Sequence, residues 1–84
     1  MADKSLLMNY KQQDRDKILS FLQTHPISTV DAIIKDSGAE RLRVYPILFE
    51  LRQEKIIQIL EESEWGAPVK VELPEESYLL GSDN

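Results

Sequence analysis

The chain has 84 residues and a formal charge of −5, from ten basic and fifteen acidic side chains, and it contains no cysteine. This length suits one small domain, and the missing cysteines exclude a disulfide framework and a cysteine-based zinc site. No apolar run is long enough to span a membrane and no signal-peptide pattern opens the chain, so we expect a soluble, cytoplasmic protein.

The acidic excess is concentrated in the C-terminal third. Residues 1–38 carry five basic and five acidic groups, residues 39–55 carry four and three, and residues 56–84 carry one and seven. A nucleic-acid-binding surface usually shows as a basic excess. The net charge of −5 therefore argues mildly against a nucleic acid as partner, although the acidity belongs mainly to residues 56–84.

The N-terminal residues predict an arm or short helix followed by a first full helix. Residues 1–13 include an apolar cluster made of Leu6, Leu7, Met8 and Tyr10. Asp14 is a plausible N-cap for the first full helix. That helix is expected to end near Thr24, because Pro26 cannot continue it.

A second and a third helix are predicted next, joined by a tight turn. Ser28 and Asp31 have the spacing of a capping box at the start of the second helix. Gly38 suits the left-handed position that ends a helix. The third helix is predicted over residues 40–54, with no good N-cap at its start. Two helices joined by such a turn form a helix-turn-helix unit.

The third helix predicts two different faces. Its core face has apolar residues at helical spacing, namely Val44, Ile47, Leu48 and Leu51. The opposite face carries Leu42, Pro46, Phe49 and Gln53. This apolar outer face is either covered by residues 1–13 or contacted by another protein chain. For Phe49 we expect burial against the first helix, because large apolar residues in small domains usually belong to the core.

Two strands are predicted after the third helix. Residues 56–60 are rich in isoleucine and leucine, residues 61–68 read as a loop, and apolar residues alternate with polar ones over 69–73. The predicted fold is therefore α+β: a winged helix-turn-helix of three helices and a two- or three-stranded β-wing. It occupies residues 14–73 and is followed by an acidic tail over residues 74–84.

The third helix also carries a family resemblance. Tyr45, Pro46, Leu48 and Leu51 form a Tyr-Pro-x-Leu-x-x-Leu pattern, and Ile56 and Ile57 follow it. In this pattern the segment resembles the winged-helix domain of PadR-like transcriptional regulators. The resemblance implies a repressor fold whose third helix enters the major groove. By the same comparison, we expect the chain to lack the C-terminal dimerisation region of that family.

Candidate contacts to double-stranded DNA follow from this fold. They lie at the helix starts and in the wing, and comprise Ser28, Arg41, Leu42, Arg43, Tyr45 and Lys70. Arginines at the start of a helix can form paired hydrogen bonds with phosphate or guanine. The alternative is that Arg41 and Arg43 lie on a solvated face of the helix and pair there with Glu40 and Glu50.

No catalytic or metal-binding pattern emerges from the sequence. The carboxylates lack a neighbouring nucleophile, a second histidine or a glycine-rich phosphate loop, so neither an enzyme nor a cofactor is expected. Trp65 at the tip of the wing is either a lid on the core, which we favour, or a partner contact.

Two hypotheses of different class remain. The first is a DNA-binding regulator, with a homodimer formed through residues 1–13 or the tail. The second is a winged helix that binds protein and not DNA, through the acidic wing and the apolar outer face of the third helix, where Leu42 and Phe49 face outward. Its candidate contacts are Leu6, Leu7, Tyr10, Phe49 and Trp65.

Overall fold

The computed structural model describes the backbone of residues 2–74 and the side chains of residues 10–74. In chain order the elements are α1 (Ala2–Thr24), β1 (Ile27–Thr29), α2 (Val30–Asp36), α3 (Arg41–Gln53), β2 (Gln58–Glu62) and β3 (Pro68–Glu72). The predicted α+β class with three helices is confirmed. The predicted acidic tail, beyond its first residue, lies outside the described residues.

Helix α1 is longer than predicted. It begins at Ala2 and continues through residue 13 without a break, so the predicted start at Asp14 is wrong. Asp14 is only 5% exposed and points into the fold, where its carboxylate accepts a hydrogen bond from Arg43 of α3. The C-terminal half of α1 packs through Ile18 and Leu22, which are one turn apart and fully buried. Pro26 prevents the helix from extending much beyond Thr24.

Helix α2 is capped by Thr29 and not by Ser28, so the predicted capping residue is wrong by one position. The Thr29 hydroxyl accepts a hydrogen bond from the Ala32 N–H at 3.1 Å. Ser28 instead lies in β1, a three-residue strand that pairs with β3. Strand pairing thus shifts the helix start by one residue. The predicted end of α2 is confirmed, because Gly38 has a left-handed φ of 86°.

Helix α3 starts within one residue of its predicted start. Its N-cap residue, Glu40, makes no side-chain capping hydrogen bond. Pro46 lies inside the helix and removes the N–H that would bond the Leu42 carbonyl. Both residues are on the exposed side of α3. Solvent can therefore hydrogen-bond the carbonyl that the proline leaves without a helical donor.

A Schellman motif ends α3. The N–H of Ile56 bonds the Leu51 carbonyl at 2.9 Å, and the N–H of Lys55 bonds the Arg52 carbonyl at 2.9 Å. This geometry places Lys55 in the left-handed region, with φ 64°. Glycine is favoured there because it has no Cβ to clash with the backbone.

We expect Lys55→Gly to stabilise the protein by about 0.5–1 kcal/mol, because glycine relieves the strain at this position. Urea unfolding followed by circular dichroism measures the change. Lys55→Ala is the matched control, since it removes the same charge but keeps the Cβ. Equal gains from both variants would mean that charge, and not backbone conformation, is responsible.

The three strands form one antiparallel sheet in the order β1-β3-β2. Ser28 and Ile59 both pair with Val71, so these three residues share the inner face of the sheet. The predicted strands β2 and β3 are confirmed with bounds shifted by one or two residues. Strand β1 was not predicted as a separate element, because three residues are too few to show an alternating pattern.

One hydrophobic core joins the helices to the sheet. Its buried apolar members are Ile18, Leu22, Val30, Ile33, Ala39, Val44, Ile47, Leu48, Leu51, Ile57 and Val71. All four residues of the predicted core face of α3 belong to it. The opposite face of α3 is consequently directed away from the core.

Candidate functional site

The outer face of α3 is open to solvent. We define this outer α3 face by its four residues, Leu42, Tyr45, Pro46 and Phe49. Leu42 is 82% exposed, Phe49 is 40% exposed and Tyr45 is 38% exposed. Their spacing of three, four and seven residues aligns them along two turns of the helix. The predicted outward face of Leu42, Pro46, Phe49 and Gln53 is confirmed, because all four side chains are exposed, and Tyr45 extends its apolar part.

The predicted burial of Phe49 against α1 is wrong. Leu48, its neighbour in sequence, takes the core position and is fully buried. Phe49 instead packs beside Arg52, whose guanidinium lies 5.8 Å from the centre of the aromatic ring. Helix α1 contacts a different side of α3, through residues that include Glu50 and Glu54. Phe49 therefore remains available to a partner.

Arg43 is bound within the fold. Its guanidinium donates to the Asp14 carboxylate at 2.7 Å and lies 5.7 Å from the centre of the Tyr10 ring. Both partners belong to α1, one turn apart, and Asp14 is buried. A hydrogen bond between two charged groups is stronger than one between neutral groups. The side chain of Arg43 thus joins α1 to α3 and is engaged before any ligand arrives.

Arg41 has a different environment. It is exposed at the start of α3, and no carboxylate among the described residues lies within 4.0 Å of it. The predicted alternative, pairing of the two arginines with Glu40 and Glu50, is wrong for the described side chains. Glu50 pairs with α1 instead, with Lys11 and Arg15 each at 2.7 Å.

The ion pairs of Glu50 with Lys11 and Arg15 lower the pKa of the Glu50 carboxyl. The hydrogen bond from Lys11, and then the one from Arg15, hold that pKa below its ordinary value near 4.5. A lowered folded-state pKa stabilises the protein at neutral pH, and this stabilisation is lost as the pH falls below 4.5 through the folded-state value.

We therefore expect the stability difference between the wild type and Glu50→Gln to shrink as the pH falls from about 7 to about 3. Urea unfolding at each pH gives that difference. Glu64→Gln is a control, because Glu64 is an exposed carboxylate outside any helix, with no ion pair among the described side chains. A difference for Glu50→Gln that stays constant with pH would contradict the assignment.

The β2–β3 hairpin is acidic on its exposed surface. Glu61, Glu62 and Glu64 are all exposed, whereas Lys70 is half-buried and pairs in register with Glu61. Glu62 also approaches Arg52 of α3, with 3.7 Å between carboxylate and guanidinium. The hairpin therefore lies beside the C-terminal part of α3 and brings carboxylates to it.

Trp65 is not a lid on the core, so that prediction is wrong. It is 89% exposed at the hairpin turn. The Ser63 hydroxyl accepts hydrogen bonds from the N–H groups of Trp65 and Ala67, both at 3.2 Å. These bonds fix the turn in a shape that directs the indole outward.

The other residues predicted to contact DNA or protein differ in how exposed their side chains are. The Ser28 hydroxyl is buried and donates to the His25 carbonyl at 2.6 Å, so the fold already uses it. Tyr10 is 49% exposed. The side chains of Leu6 and Leu7 lie outside the described residues.

Sequence reasoning missed the α1 side of these contacts. Tyr10 and Asp14, which contact Arg43, are four residues apart. Lys11 and Arg15 have the same spacing, and they pair with Glu50 and Glu54. Such spacing places each pair on one side of a helix. It would have been a usable signal had residues 1–13 been read as part of the first helix.

Comparison with known proteins identified no family model, no curated protein and no solved structure that matches the chain at a significant level. Among the described residues, no helix has both the length and the apolar composition needed to cross a bilayer. Function must therefore be inferred from the geometry of the described residues.

Proposed function

We propose that the chain is a winged helix that binds protein through the outer α3 face. The fold part of this proposal is supported by the element order α1-β1-α2-α3-β2-β3, with a helix-turn-helix followed by a hairpin. In the sheet order β1-β3-β2 the hairpin strand β3 pairs with β1, and β2 forms one edge of the sheet, which is compatible with a wing.

One observation carries the function: the outer α3 face is apolar and open. Reading bases in a groove requires hydrogen-bond donors and acceptors on the inserted helix. Leu42, Pro46 and Phe49 offer none from their side chains, and Tyr45 offers only its one hydroxyl. Contiguous exposed apolar surface with a charged rim is instead typical of a protein-binding site.

Electrostatics supports the same choice. Arg43 is already paired with Asp14, and the hairpin beside α3 presents Glu61, Glu62 and Glu64. Phosphates that approached α3 would meet those carboxylates, and the whole chain carries a charge of −5. Since phosphate attraction supplies much of DNA affinity, this arrangement disfavours a duplex as the partner.

Site-specific photo-crosslinking tests the proposal. A photoreactive phenylalanine analogue is placed at Phe49 in the full chain, in cells that naturally produce the protein. We expect protein adducts from this position and none from a control at Ile27, which is 56% exposed on β1. Adducts to nucleic acid from position 49, or equal protein adducts from both positions, would contradict the proposal.

A second candidate is a DNA-binding regulator of the PadR-like kind. The observation that favours it is the exposed Arg41 at the start of α3, where the helix dipole already attracts phosphate. This candidate requires duplex affinity that falls steeply as salt increases. Fluorescence anisotropy with a short labelled duplex, measured from about 20 to 200 mM salt, separates it from the first.

A further inference from the structure

We propose that the occupant of the outer α3 face is a second copy of this chain, bound through a two-fold axis. This inference rests on the proposed protein-binding function and names its partner. A two-fold contact uses the same surface on both copies, so that surface must complement itself in shape and in charge. The outer α3 face and its charged flank meet both conditions.

The apolar part is self-complementary when the two α3 helices run antiparallel. Leu42 and Phe49 are seven residues apart, about 10 Å along the helix. A two-fold axis at the level of Tyr45 and Pro46 places Leu42 of one copy opposite Phe49 of the other. Each large exposed side chain then covers the other, with the half-exposed Tyr45 at the centre.

The charged part is self-complementary on one flank of α3. Arg41 and Arg52 are eleven residues apart, so at about 100° per residue they lie within about 20° of each other on the helix. The same two-fold axis carries Arg41 of one copy to the level of residue 50 of the other. At that end the guanidinium of Arg52 lies 3.7 Å from the Glu62 carboxylate, so Arg41 meets a pair of opposite charges and not Arg52 alone.

Arg41, which has no carboxylate within 4.0 Å among the described side chains, thereby approaches the Glu62 carboxylate of the other copy. The axis generates this contact twice. A purely basic partner would leave Arg41 without a carboxylate, and a purely acidic one would be repelled by Glu62. Because the flank of α3 that carries Arg41, Arg52 and Glu62 contains both signs of charge, a second copy supplies a partner for each sign.

Analytical ultracentrifugation of the full chain, from micromolar to about 1 mM protein, tests this. We expect a reversible monomer–dimer equilibrium. Leu42→Lys and Phe49→Lys should each raise the dimer Kd at least tenfold, while the control Ile27→Lys should leave it unchanged. All three variants add the same charge and lower the net negative charge, so general repulsion cannot explain a weakened dimer.

A charge swap tests the geometry directly. Arg41→Glu and Glu62→Lys should each weaken the dimer several-fold, and the protein carrying both changes should regain most of the affinity. Circular dichroism checks that each variant is folded. A monomer at every concentration, or a dimer unaffected by changes at Leu42 and Phe49, would overturn the second copy as occupant. In either case, adducts from Phe49 to a different protein would still support the docking function, so the two proposals fail separately.

Discussion

Leu48→Ala is expected to destabilise the protein by about 3 kcal/mol, within the range of about 2–5 kcal/mol seen for buried leucines. Leu48 is fully buried and belongs to the hydrophobic core that joins the helices to the sheet. Removing its side chain loses the transfer free energy and leaves a cavity that close-packed neighbours fill only in part. For so small a domain, this loss is a large fraction of the total stability.

Leu42→Ala is the matched control, because it is the same substitution in the same helix at a side chain that is 82% exposed. We expect it to change the free energy of unfolding by less than about 0.5 kcal/mol. Urea unfolding at low micromolar concentration, where self-association is minimal, measures both variants. Similar losses at the two positions would contradict the assignment of core and outer faces to α3.

The contrast between these two leucines was predictable from sequence, because it depends on helical periodicity alone. Val44, Ile47, Leu48 and Leu51 mark one side of a 3.6-residue helix whatever packs against it. Local backbone chemistry was similarly readable. Pro26 and Gly38 end helices through their own conformational limits, and neither requires a distant partner.

Features that depend on distant contacts were not predictable. Asp14 looked like a cap because caps favour aspartate, but its partner Arg43 is 29 residues away in sequence. Phe49 was expected to be buried because its residue type usually is, yet burial depends on which side of α3 receives α1. The exposure of Trp65 depends on a hydrogen-bonded turn around Ser63 that only the folded hairpin forms. In each case a tertiary contact overrode the local preference on which the prediction was based.

Arg43→Ala is expected to cost about 2 kcal/mol, because it leaves the buried Asp14 carboxylate without its main partner. Losing one member of a fully buried ion pair costs about 3–5 kcal/mol. We expect less here, since the Arg43 side chain is 36% exposed and Lys17 remains 4.0 Å from Asp14. Arg41→Ala is the matched control and should have almost no effect on stability, because the described structure gives Arg41 no ion pair.

Replacing both members of the pair separates the cost of the unpaired charge from the value of the contact. Asp14→Leu combined with Arg43→Met should be within about 1 kcal/mol of the wild type, because apolar replacements of similar volume are often neutral. Urea unfolding of the four proteins of this cycle gives the coupling between the two positions. If the double variant is as unstable as Arg43→Met alone, the Asp14–Arg43 contact stabilises α1 on α3 by itself. If it recovers, desolvation of the lone carboxylate accounts for the loss, and the pair mainly fixes Arg43 away from the outer α3 face.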